Sequence, residues 1–451
     1  MAARRLLAAS LVTAALVTAA ALPSCGEFTI RETCSDGLKN NGETDVDCGG
    51  PSCVKCALGK ACAVDHDCPA DASCKGGICG KQVIGVWKQI MPMTSPPARS
   101  GHGLAFTTAS KSIVLFGGSG AGGALLSDTW TYATGAWKTV AGKPPLPSAR
   151  SGHALVADAT RVVVFGGTAL DGTPPAATFP TDTWAFTTAW AEVKTMTPPT
   201  GRSGAAVAFD AVRGEVVLYG GFAGQELAET WILKGDAWAK SSLPAQPPAL
   251  AQASMAFDAA RKETVLFGGR VASEPPDISS KTWIWSGTDW TARDTTVGPT
   301  ARYATAMAYD SIRQRIVLFG GIGGATPEGD TWEWDGKAWL LTASNGPPPR
   351  SGAAMAYDPA SRHMVLFGGL GMGQSGDAGV AAATPLADTW EYYVVGDTCT
   401  SADTCSSASC VDGVCCEQAS CGECEACNTL ASPGTCTKCE KCDPVTKKCT
   451  P

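Results

Sequence analysis

Ala306-Met307-Ala308-Tyr309-Asp310-Ser311-Ile312-Arg313-Gln314-Arg315-Ile316-Val317-Leu318-Phe319-Gly320-Gly321 is the stretch that decides the fold. Its first four residues alternate small and large, the period of a strand. Asp310-x-x-Arg313 follows, and an aspartate at the head of a turn caps the backbone that folds back on it. Ile316–Phe319 is short, apolar and β-rich, which reads as a strand buried on both faces. The stretch is therefore a hairpin ending in two glycines. Equivalent runs end in Gly-Gly at 117, 166, 220, 268, 320 and 368, with spacings of 49, 54, 48, 52 and 48 residues. Six copies of one unit make the middle of the chain a repeat array.

Each copy continues into a Thr-Trp pair, at 129–130, 183–184, 230–231, 282–283, 331–332 and 389–390. A second tryptophan follows in the first five copies, as Trp137, Trp190, Trp238, Trp290 and Trp339, and is missing from the sixth. Trp87 stands alone upstream, 12 residues before Arg99, as Trp190 stands 12 before Arg202. The N-terminal strand around Trp87 is thus expected to supply the outer strand that the last copy lacks. That closes the array on itself and leaves no sheet edge open.

Four-stranded units of about 50 residues with a glycine pair and two spaced aromatics resemble Kelch repeats. The resemblance covers residues 86–395. It implies an all-β, six-bladed β-propeller over residues 81–395, with the tryptophans packing between blades. In such a ring the Pro-rich turns entering each repeat and the loops after each Gly-Gly share one face. From the second glycine to the Thr-Trp tryptophan those loops measure 12, 17, 10, 14, 11 and 21 residues. Variation of this kind marks a binding side, and its longest members are Thr168–Thr181 and Leu370–Ala387. Arg99, Arg150, Arg202, Arg302 and Arg350 begin the inner strands, and Leu250 replaces the arginine in repeat four. Two readings of the five arginines stand. A guanidinium ring at the channel mouth would bind acidic ligands bidentately; alternatively, each arginine pairs with its own repeat's acids or carbonyls. His102 and His153 occupy matching positions and read as structural, since two ligands alone make a poor metal site.

Cysteine is confined to the two ends. Nine of the 21 cysteines lie between Cys25 and Cys79, none between Gly80 and Thr398, and twelve between Cys399 and Cys449. Arg4-Arg5 before the uncharged run Leu6–Leu22 reads as a signal peptide, residues 1–24. Leu22-Pro23-Ser24-Cys25 resembles a bacterial lipoprotein box, with Cys25 the lipidated residue and the membrane a partner through it. Ordinary cleavage with Cys25 free or paired is the alternative. Removing Cys25 leaves eight and twelve cysteines, even numbers that suit closed disulfide sets in an oxidising compartment. Two small disulfide-rich modules, 25–80 and 396–451, are therefore expected to flank the propeller. In the first, Asp36, Asn40, Asp45 and Asp47 could hold Ca²⁺ through hard oxygens, or shape a loop through Asx turns; no other cofactor is expected.

A net charge of −7 excludes the basic face of a nucleic-acid binder. A copper oxidase resembling galactose oxidase needs a cysteine–tyrosine cross-link, which a cysteine-free array cannot form. No acid/base pair stands out from the repeat pattern, so no enzyme is expected. The sequence reads as an exported, lipid-anchored outer-membrane or cell-surface protein, or a secreted one, whose propeller binds a protein or a glycan. An extracellular carbohydrate-active enzyme is the alternative.

Overall fold

The structure is a computed structural model. It describes residues 84–395 except 244, 273–276, 296, 344–345 and 373–382, with scattered residues between 39 and 81 and short strand pairs between 410 and 438. By contacts the chain divides into a small unit, residues 1–69 with 74–79, and a large unit holding the rest.

The large unit is all-β. It contains six antiparallel four-stranded sheets, one per repeat. Sheet three is representative: Ala206–Asp210, Glu215–Tyr219, Thr230–Lys234 and Ala237–Ser241 pair in sequence order. Sheet six takes its first three strands from Ala354–Asp358, His363–Phe367 and Thr389–Val395. Its fourth is Ile84–Ile90, from the other end of the array, with Trp87 opposite Tyr392 and Gln89 opposite Trp390. The edge that the last repeat leaves bare is thereby paired.

Apolar second strands make up the core. Ile113–Phe116, Val265–Phe267 and Ile316–Phe319 are at most 1% exposed, as expected of strands covered on both faces. Alanine dominates the first strands because they crowd together: the first strands of all six sheets bound one central cavity of about 160 Å³.

Three sets of equivalent hydrogen bonds tie each sheet to the next. The first uses the glycine pair. Gly167 N–H donates to the Arg202 carbonyl of the following repeat at 2.8 Å, and Gly369 N–H donates to the Arg99 carbonyl at 2.9 Å, returning from repeat six to repeat one. This approach explains the preceding glycine: at Gly166, φ is +68° and a Cβ would sit 2.4 Å from the Arg202 oxygen. Any side chain there would displace the neighbouring sheet. The second set uses the outer tryptophans. Each indole N–H donates to the Thr-Trp threonine of the preceding sheet: Trp190 to Thr129, Trp238 to Thr183, Trp290 to Thr230, Trp339 to Thr282, Trp87 to Thr331 and Trp137 to Thr389, at 2.8–3.0 Å. Trp87 fills the one vacancy in that series. The third set is axial. Gly152 N–H donates to Gly101 C=O, Gly204 to Gly152, Gln252 to Gly204, Ala304 to Gln252, Gly352 to Ala304 and Gly101 to Gly352, at 2.7–2.9 Å. All six residues have φ between +53° and +63°.

Candidate functional site

The five arginines sit where the first strands begin, and their side chains are 0–1% exposed. Arg302 is representative. Its Nε donates to Thr300 C=O at 3.1 Å, Nη1 to Gly320 C=O at 3.2 Å and Asp330 Oδ1 at 2.5 Å, and Nη2 to Thr300 Oγ1 at 2.8 Å and Asp330 Oδ2 at 3.1 Å. All five N–H groups are used, the limit for a guanidinium. Arg99, Arg150 and Arg350 clasp Asp128, Asp182 and Asp388 in the same two-pronged way, and Arg202 reaches Glu229 at 2.7 Å. Of the two readings of these arginines, internal pairing with the repeat's own acid and carbonyls is what the structure shows, with all five N–H groups engaged in Arg150 and Arg302.

The acid partners stand immediately before the Thr-Trp pairs, and the indole N–H of that tryptophan donates to the same acid, for example Trp332 to Asp330 at 2.6 Å. Burial by itself would raise these carboxyls. The Arg302 and Trp332 hydrogen bonds outweigh it and hold Asp330 below its usual value, as their counterparts do for Asp128, Asp182 and Asp388. The pairing was visible in the sequence as a correlation. Repeat four, with Leu250, is also the one with Lys281 at the acid position.

His102 and His153 pack edge-on against Phe367 and Phe116 of the preceding sheets, with ring centroids 5.5 and 5.4 Å apart. Burial, reinforced by Arg99 and Arg150, pushes both down to about 3, so both are neutral at physiological pH. Among the described residues no group of three His, Cys, Asp or Glu side chains is placed to hold a metal ion.

The loop face exposes several large apolar side chains. The connectors that run from each outer strand to the next inner strand carry Met91, Met93, Leu146, Met196 and Val297 in exposed positions, and the post-glycine loops add Leu170 and Met372. These are seven of the eleven exposed large hydrophobics described in the chain, and all four of its exposed methionines. The post-glycine loops also alternate in structure. In repeats two, four and six they form small hairpins paired to the residues at the start of the inner strand: Thr168–Asp171 with Ala176–Thr178, Arg270–Val271 with Asp277–Ile278, and Leu370–Met372 with Ala383–Pro385. Repeats one, three and five have only isolated bridges there, such as Phe222 with Glu226. Sequence length singled out repeats two and six. The hairpin of repeat four was signalled more weakly, by 14 residues against 10–12 in the odd repeats.

In the small unit Cys48 and Cys56 are bridged, and Cys62 and Cys68 are also in disulfides. Asp45 accepts the Val46 and Ala61 backbone N–H groups, both at 2.7 Å, which lowers its carboxyl below the usual value. The second bond ties the loop at 45 to the backbone at 61, sixteen residues away. Asp36, Asn40 and Asp47, the other candidate Ca²⁺ ligands, and Cys25 lie outside the described residues.

Comparison with known proteins agrees with this geometry. The KLHDC2/KLHL20/DRC7 Kelch-repeats domain matches residues 85–269. Adagio protein 3 of Arabidopsis thaliana is 34% identical over 143 residues, 30% of this chain and 22% of that protein. Adagio-like protein 3 of Oryza sativa subsp. japonica is 36% identical over 124 residues, 26% of this chain and 19% of that protein. Host cell factor 2 of Homo sapiens is 31% identical over 81 residues, 18% and 10% respectively. The chain spans about a fifth or less of these relatives. Over residues 85–269 the sheets are similar to Kelch repeats.

Proposed function

We propose that the six sheets are the blades of a closed propeller, and that its loop face docks a protein partner. The observation that carries this reading is the concentration of exposed apolar side chains, all four exposed methionines among them, on the face that also bears the three projecting hairpins. Methionine is flexible and polarizable and suits an adaptable contact surface, and exposed apolar clusters mark interaction sites. The Trp-to-Thr and axial hydrogen bonds support the closed ring, since each runs through six repeats and returns to its start. The rigid ring then holds the loops still, which lowers the ordering cost of binding.

The reading extends to location. The Arg4-Arg5 leader with its apolar run, the Cys25 box and the disulfides of the small unit support export and a lipid anchor at Cys25. A glycan is the second class of ligand, and a site for it is argued below.

A photoreactive amino acid placed at Met93 or Met196 of the full chain, and at Val212 as an exposed control off this face, tests the docking face. Discrete protein adducts are expected from 93 and 196 and not from 212. Equal labelling from all three would remove the face assignment. For the anchor, Cys25→Ser is expected to abolish incorporation of labelled fatty acid and to shift the protein from the membrane to the soluble fraction.

A further inference from the structure

Five of the six repeats agree in the length of their first hairpin. From the residue that opens the turn to the first buried residue of the second strand is six positions in repeat three, Asp210 to Val216, and four in repeat two, Asp158 to Val162. The short turn Asp158–Arg161 and the flank of sheet three line a cavity of about 350 Å³, within the ~300–1,000 Å³ range of small-molecule sites. It opens at the turn end of the sheets, away from the loop face.

Its apolar side is Phe209, Val216 and Leu233 of sheet three; its polar side is Asp158, Arg161 and Asp236. Arg161 crosses the gap: Nε donates to Asp158 Oδ2 at 3.1 Å, Nη2 donates to the Gly235 carbonyl at 2.7 Å, and Nη2 lies 2.7 Å from Asp236 Oδ1. Nη1 makes no hydrogen bond. Asp158 Oδ1 is filled, because it accepts the Thr160 N–H, the Thr160 hydroxyl and the Arg161 N–H, while Oδ2 accepts only Arg161 Nε. Asp236 is 65% exposed and keeps Oδ2 free.

We propose that this cavity binds an uncharged vicinal diol, one pyranose ring of a glycan. The charges select against the other classes. An anion approaching Arg161 meets two carboxylates beside it. A cation finds only carboxylates already paired to the Arg161 guanidinium. What remains is an unused donor, Arg161 Nη1, and acceptor capacity on Asp158 Oδ2 and Asp236 Oδ2. Adjacent hydroxyls match that pair, since one can accept while its neighbour donates. The ring's C–H face then covers Phe209, whose π-face is weakly negative and attracts polarised C–H groups. The docking face takes no part in this, so either proposal can fail without the other.

Titration calorimetry of the full chain with the methyl pyranosides of glucose, galactose and mannose tests the site, with n-butylammonium and acetate as charged probes. At least one pyranoside is expected to bind, and Asp236→Ala and Phe209→Ala each to weaken it tenfold or more. Inserting two residues after Arg161, to restore the turn length of repeat three, should abolish binding without lowering the melting temperature. Asp236 is exposed, so Asp236→Ala keeps the test valid if Phe209→Ala folds poorly. Absence of pyranoside binding, binding undiminished in Asp236→Ala, or saturation by butylammonium or acetate instead would overturn the proposal.

Discussion

Sheet four and the other five solve the same problem in two ways. Where the inner strand begins, five sheets bury an arginine and clasp it with the acid before Thr-Trp. Sheet four has Leu250, 1% exposed, in the same place. Its acid position is Lys281, which turns outward to Asp294 at 2.9 Å. The indole of Trp283, which in the other sheets donates to the acid, has no hydrogen-bond partner for its buried N–H. The comparison teaches that arginine and acid are one unit. Neither persists alone, because a lone guanidinium or a lone carboxylate in that position would carry an uncompensated charge. Recurrence of an arginine around a ring is therefore weak evidence for a ligand site when an acid recurs with it.

The harshest way to break the comparison is to remove one partner. Arg302→Leu copies half of sheet four and leaves Asp330 without its guanidinium. Breaking a buried pair from one side costs ~3–5 kcal/mol. Asp330 keeps about a quarter of its surface in water, at 24%, which places the cost near the lower end, about 3 kcal/mol. Arg302→Leu with Asp330→Lys completes the sheet-four pattern and should recover most of the loss. Chemical denaturation of the single and double variants measures both, and equal destabilisation would show that the two residues are not coupled.

A smaller inequivalence separates sheets one and two from the rest. They hold His102 and His153 where sheets three, four and six hold Ala205, Ala253 and Ala353. Burial pushes both imidazoles down to about 3 in the folded chain, from 6.5 for a free histidine. The unfolded chain therefore binds two protons that the folded chain refuses. Stability is full above pH 6.5 and is lost as pH falls from there toward 3. Between pH 7.5 and pH 6 the two together should lose about 1.5 kcal/mol. The carboxylates that clasp arginine contribute below this window, because their folded values lie under 3.8. Asp310 is raised by burial and works in the opposite sense, so the test is a difference. His102→Ala with His153→Ala should flatten the acid slope relative to the native chain, and an unchanged slope would refute the assignment.

Periodic features were legible in the sequence because the ring repeats them. Six Gly-Gly pairs located the second strands, and the missing sixth tryptophan together with the stray Trp87 located the strand that pairs with Thr389–Val395. The role of each arginine was not legible from its own position. Its partner acid stands some 27–38 residues further along the same repeat, and the co-variation of Leu250 with Lys281 inside one chain hinted at the clasp. The short turn Asp158–Arg161 was equally easy to pass over. A deletion of two residues changes no motif, yet the shortened turn lines a cavity together with Phe209, some fifty residues further along.

The gentlest test sharpens the comparison from the other side, by building the missing unit into sheet four. Leu250→Arg alone buries a guanidinium with Lys281 at the position an acid should hold, so it should destabilise. Leu250→Arg with Lys281→Asp restores the pair and gives the Trp283 indole the acceptor that Trp332 already has. Exchanging a buried leucine for a buried pair is close to neutral in itself, because desolvation offsets the attraction. The sign then rests on the indole, and satisfying a buried donor is worth about 1 kcal/mol. The double variant is therefore expected to melt at or slightly above the native temperature and the single variant below it. Trp283→Phe separates the two contributions. It should cost less in the native chain than Trp332→Phe does, since only the latter loses a hydrogen bond, and in the double variant its cost should rise to match. If Trp283→Phe costs the same with and without the installed aspartate, the indole is not the third member of the unit.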